Sequence, residues 1–109
     1  MAHTVPLSHF TYLTSTETLK NFNATPGFQR GFCTNCGSFL YWRDESRDDI
    51  GISVGCVDQE FLSEFGFALA NISGNNVWCQ NEIKGVTDRI IGMERGTKWA
   101  TSSEEGVKM

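Results

Sequence analysis

The strongest constraint in this 109-residue chain is the run Arg-Gly-Phe-Cys-Thr-Asn-Cys-Gly-Ser-Phe-Leu at residues 30–40. Cys33 and Cys36 are separated by two residues and followed by Gly37, the form of a zinc knuckle. That spacing lets both thiolates reach one ion across a tight turn whose backbone N–H groups can hydrogen-bond the sulfurs. Gly37 supplies a position where positive φ carries no steric cost. A closed structural zinc site takes four ligands, and this motif offers two.

Three readings of the pair stand open: half of a zinc site, a thiol–disulfide redox couple, or two unconnected buried thiols. Redox couples sit at the start of a helix that follows a strand, where the helix dipole lowers the thiol pKa. Here Gly-Ser-Phe-Leu-Tyr-Trp follows Cys36 and reads as a strand, so the context favours the zinc half-site. Cys56 and Cys79 are the candidates to complete a tetrahedron, but they are 23 residues apart and lack the paired spacing of zinc ligands. A lone cysteine beside apolar neighbours is more often a small buried hydrophobe. His3 and His9 are the only histidines and belong to an expected N-terminal arm.

Other catalytic templates are poorly supplied. The sequence has no nucleophile elbow, no phosphate-binding Gly-rich loop ending in Lys-Ser/Thr, and no His-Glu-x-x-His. Asp58 and Glu82 are acid/base candidates, although carboxylates at strand ends are ordinarily just solvated. No catalytic residue is assigned.

The formal net charge is −4 and no basic cluster stands out, which argues against nucleic-acid binding, since phosphate neutralisation needs a basic face. No apolar run approaches the ~20 residues that span a bilayer, so no membrane association is expected. The first residues have neither a basic nor an apolar signal-peptide region. A cytoplasmic location is therefore expected, where four cysteines mean metal ligation or free thiols rather than a disulfide scaffold.

Local patterns predict strands over residues 19–24, 38–43, 50–54, 67–72 and 77–80, with a turn at 25–27 and another at 73–76. The charged residues 44–49 form a loop between two strands of a long antiparallel hairpin. Residues 58–65, with Asp58 as cap and Phe61, Leu62 and Phe65 on one face, predict one or two helical turns. The expected organisation is a flexible arm at 1–8, an all-β domain at 9–100, and a disordered tail at 101–109.

The block at residues 30–40, preceded by Leu-Lys-Asn-Phe at 19–22 and Thr-Pro-Gly at 25–27, resembles the family of glutathione-dependent formaldehyde-activating enzymes and centromere protein V, in its fungal-type form. Val-Gly-Cys-Val-Asp at 54–58 and Val-Trp at 77–78 fall where that family continues, so the resemblance covers roughly residues 9–85. It implies a β-tent of packed antiparallel sheets, here incomplete at the N-terminus. It also implies zinc-dependent carbon–sulfur lyase chemistry that joins formaldehyde to the glutathione thiol. In the family, the Cys-x-x-Cys of this block joins an upstream Cys-x-Cys pair to close a structural zinc site, a role that maps onto Cys33 and Cys36. A separate Cys-x-Cys-x-x-Cys cluster binds the catalytic zinc.

Neither upstream motif occurs in this chain. The expectation is accordingly a truncated family member, inactive or a fragment as it stands, with zinc as a structural half-site cofactor at Cys33 and Cys36. Glutathione or another thiol adduct is the ligand implied by the resemblance. The alternative is a non-enzymatic zinc-binding interaction domain, or a homodimer sharing one zinc through Cys33 and Cys36 of each chain. Cys56 occupies a position usually filled by Ser or Thr in the family, which counts against its being a ligand.

Overall fold

A computed structural model describes residues 2–71, 74–89, 96–103 and 106–109. The chain divides into two compact units, Met1–Glu64 and Phe65–Met109.

The first unit is a single antiparallel sheet. Its strands are β1 (Ala2–Pro6), β2 (Leu19–Phe22), β3 (Phe28–Cys33), β4 (Phe39–Asp44) and β5 (Asp49–Ser53), in the spatial order β1-β5-β4-β3-β2. From β2 to β5 the sheet is a meander of consecutive hairpins, in which β2, β4 and β5 match the strands expected at 19–24, 38–43 and 50–54. β3 was not expected as a strand. It runs from the 25–27 turn into the cysteine turn and pairs with β2 on one side and β4 on the other. Gly27, at φ +84°, closes the turn that starts it.

Residues 1–8 depart from the expected arm. All five residues of β1 pair with β5, from Ala2 opposite Ser53 to Pro6 opposite Asp49. Few bulky apolar residues mark this segment, so its pattern is faint. It is recruited by backbone pairing, because β5 would otherwise present a bare edge to solvent.

The core of this unit is centred on Tyr41 and Ile50, which are only 4% and 2% exposed. Tyr41 stands opposite Gly31 on β3, and Gly31 stands opposite Asn21 on β2. A Cβ at Gly31 would clash with the Tyr41 ring, which comes closer than van der Waals contact allows. The glycine is what lets that ring lie flat across β3, and the Tyr41 hydroxyl then donates to Asn21 Oδ1 at 2.5 Å. On the opposite face Phe28 stacks on Trp42 with centroids 5.6 Å apart.

One helix, α1 (Gln59–Asn71), begins in the first unit and ends in the second. It has 13 residues, longer than the expected one or two turns, and it absorbs residues 67–71 that the sequence pattern assigned to a strand. Once a first turn is nucleated, extension costs little. Ala-Leu-Ala at 68–70 has high helix propensity. Leu62, Gly66 and Leu69 fall at helical spacing on its less exposed side. Residue 72, the last of the expected strand, lies outside the described residues.

The second unit contains a short parallel pair, β6 (Asn75–Asn76) and β7 (Thr97–Lys98). Residues 77–80, expected as a strand, instead turn through Trp78 in the left-handed region (φ 61°) into a 3-10 turn at Cys79–Asn81. Their backbone N–H groups still find partners, from Trp78, Cys79 and Gln80 to the carbonyls of Thr101, Trp99 and Ala100. The described part of the expected tail also pairs: Lys108 bridges to Trp99, and the Met109 N–H donates to the Lys98 carbonyl. The all-β expectation holds, with one antiparallel five-stranded sheet and, among the described residues, a single α-helix.

If Tyr41 packs on Gly31 in this way, Gly31→Ala should lower the unfolding free energy in urea by about 1–3 kcal/mol, the usual cost of overpacking. A midpoint equal to that of the parent chain would show that the ring does not lie over β3.

Candidate thiolate site

β1 and β2 are the two edges of the sheet, yet they are consecutive in the chain. The connection between them, residues 7–18, must therefore pass over the three strands between those edges, four interstrand spacings or about 19 Å. It does so over one face. Phe10 packs edge-on against Tyr12, with centroids 4.9 Å apart, and against Tyr41 at 6.4 Å. The cleft left between this crossing segment and the sheet has a volume of about 550 Å³.

Cys33, Cys36 and Cys56 all line that cleft, together with Leu40 and Ile52. Cys33 ends β3, and the turn after it is tightly held. The Gly37 N–H donates to the Cys33 carbonyl at 2.7 Å, and the Cys33 N–H donates to the Ser38 carbonyl at 3.0 Å. Gly37 sits at φ +78°, as the motif predicts. Thr34 fastens the turn to the crossing segment, since its N–H and its hydroxyl both donate to the Thr18 carbonyl, at 2.7 and 3.0 Å.

The electrostatics of the turn favour a thiolate at Cys33. The backbone N–H of Cys36, then that of Asn35, then the Cys36 thiol hydrogen-bond its sulfur and hold its pKa below the ordinary thiol value. The Cys36 thiol also lies 3.2 Å from the Ser38 hydroxyl. Where β4 leaves the turn, the register shifts: Phe32 faces Phe39 while Gly31 faces Tyr41, so Leu40 is the extra residue of a bulge. That bulge places Leu40 and its neighbour Tyr41 on the cleft together.

Cys56 belongs to a 3-10 turn at Val54–Cys56 after β5, and its thiol donates to the Phe39 carbonyl at 3.0 Å. It thus shares the cleft with the knuckle but is tied to the start of β4. Cys79 is in the second unit, buried, with its thiol donating to the Asn76 carbonyl at 3.3 Å. His3 lies exposed on β1 and His9 on a 3-10 turn at Leu7–His9. The Asp58 carbonyl accepts from the Leu62 N–H at the start of α1, and Glu82 pairs with Lys98 at 3.2 Å. Among the described residues no three His, Cys, Asp or Glu side chains come together to hold a metal ion.

The sequence singles out the cysteine pair but not the other walls of the cleft. The cover at residues 10–18, Tyr41 with its partner Asn21, and the bulge at Leu40 all depend on strand register. The signal nearest to hand was Gly31 itself, a glycine in an otherwise bulky alternation, which marks close approach by another group.

Tyr41 is the most perturbed ionisable group of the face. Burial, followed by the neighbouring Tyr12 hydroxyl, pushes its pKa up to about 12.

A family model described as glutathione-dependent formaldehyde-activating enzyme matches residues 1–81. No curated protein and no solved structure matches the chain.

An unfolded tyrosine ionises near pH 10, roughly two units below the folded value for Tyr41. The stability tied to its protonated form should therefore be intact below pH 10 and fall as pH rises towards 12. Urea midpoints measured between pH 9 and 11.5 should decline in the parent chain and decline less in Tyr41→Phe. Equal slopes would contradict the assignment.

Proposed function

Because the chain belongs to the family of glutathione-dependent formaldehyde-activating enzymes, we propose that it binds a glutathione–formaldehyde adduct in the cleft beside the cysteine turn, with Cys33 and Cys36 as thiolate ligands of a zinc ion there. The observation that carries this is the coincidence of the two features. The cleft is large enough for a small peptide thiol, and its wall is the turn whose backbone N–H groups hydrogen-bond the Cys33 sulfur and lower its pKa.

The donor set fits half of a zinc site. Two sulfurs on one tight turn, one of them already supported by two backbone N–H groups, suit two of the four tetrahedral positions. Zinc bound here would fix the turn and, with an open position, could act as a Lewis acid on the adduct oxygen. The family chemistry forms a carbon–sulfur bond as the thiol sulfur adds to the formaldehyde carbon and the thiol proton passes to the oxygen. In this chain, Leu40 and Ile52 give the cleft an apolar wall, Phe10 and Tyr12 cover it, and Gly37 with Thr34 keeps the turn closed. Since neither Cys-x-Cys nor Cys-x-Cys-x-x-Cys is in the sequence, the role proposed for these residues is binding and ligation, and none is named catalytic. Four free cysteines suit a reducing compartment such as the cytoplasm. Among the described residues no helix is long and apolar enough to cross a membrane.

S-methylglutathione, a stable mimic of the adduct, provides the test. It should protect Cys33 and Cys36 from alkylation by iodoacetamide in a saturable manner, while buried Cys79 stays unreactive throughout. Alkylation of the pair at an unchanged rate under millimolar S-methylglutathione would refute adduct binding in the cleft.

A further inference from the structure

A second, smaller cavity of about 290 Å³ lies on the same face of the sheet and shares Phe10, Tyr12 and Tyr41 with the thiolate cleft. Its character is different. Gln29 and Arg43, paired across β3 and β4, line it together with Asn21. The Nε of Arg43 is buried and has no hydrogen-bond partner.

That orphan donor is the unusual feature. A guanidinium stays charged at any ordinary pH, and a buried N–H on it is costly unless an acceptor meets it. The nearby carboxylate does not do so: Glu45 accepts from Gln29 Nε2 at 2.8 Å and from Asn23 Nδ2 at 3.4 Å. No ion pair joins any described carboxylate to Arg43. Asn21 spends its Oδ1 on the Tyr41 hydroxyl, which leaves its amide N–H groups as further donors on the same cavity. The cavity is thus lined by a guanidinium and two side-chain amides with no acidic residue among them, and a planar anion is the shape a guanidinium fork matches best.

We propose that the Arg43 cavity is a carboxylate subsite, and that it holds the glycyl carboxylate of the peptide thiol whose sulfur end lies at the cysteine turn. The second half of this rests on the adduct-binding function proposed above. Phe10, Tyr12 and Tyr41 line both cavities, and a two-residue arm in extended form reaches about 7 Å. The γ-glutamyl end is the poorer fit, because its carboxylate carries an ammonium group and no acidic side chain lines the cavity to receive it.

The test compares S-methylglutathione with its glycinamide analogue, titrated calorimetrically into the parent chain, Arg43→Gln and Arg43→Lys. The parent chain should bind the amide roughly ten- to a hundredfold more weakly than the acid, the worth of a charged hydrogen bond. Arg43→Gln should bind acid and amide alike, and Arg43→Lys should fall between. Equal affinity of the parent chain for acid and amide would overturn the subsite and leave adduct binding standing. That comparison needs only the parent protein, so it holds even where a variant fails to fold. Acetate supplies the separate arm. Binding of acetate that is lost in Arg43→Gln, with no binding of S-methylglutathione, would uphold a carboxylate site and overturn adduct binding. Failure of acetate and of both peptides to bind the parent chain would overturn both.

Discussion

The contact of Tyr41 with Gly31 is the constraint on which the rest of this sheet depends. Only a residue without a Cβ lets the ring cross β3 and reach Asn21 on β2. That single side chain therefore links β4, β3 and β2 on one face, and Phe10 of the crossing segment rests against it. In a unit with few deeply buried side chains, the ring supplies the floor over which residues 7–18 can pass. Both cavities are consequences, since each has Tyr41 in its wall.

The cysteine turn uses the same sheet differently. β3 delivers Cys33 at its end, the tight turn returns the chain at Phe39, and the bulge at Leu40 absorbs the extra residue. Without that bulge, alternation would send Tyr41 to the other face, because a one-residue slip reverses every side chain of a strand. The knuckle and the aromatic floor are thus coupled by one register shift. Thr34 closes the arrangement by tying the turn to Thr18 at the end of the crossing segment.

What could be read from the sequence follows from this. The turn at residues 33–37 was legible because its information is local: spacing, a glycine, and the strand-forming residues after it. β2, β4 and β5 were legible for the same reason. β1 was not, because Ala-His-Thr-Val-Pro becomes a strand only against the waiting edge of β5. Residues 67–71 were misread because Phe67 and Leu69 alternate with small residues in a strand-like way, whereas the preceding helical turn carries them along. Arg43 reads as one more exposed strand charge until register places it opposite Gln29, beside Asn21 and under the crossing segment. Charge without register is silent about ligands, and the pairing of strands is what turned this one into a candidate binding group.

In the function proposed above, the turn between β3 and β4 would present Cys33 and Cys36 as a pair of zinc thiolates. X-ray absorption at the zinc edge of the zinc-loaded chain tests it most directly. The expected spectrum shows sulfur neighbours at about 2.3 Å, and loses them in the Cys33→Ser/Cys36→Ser double variant. A first shell of oxygen and nitrogen alone, or a spectrum unchanged by the double substitution, would contradict it.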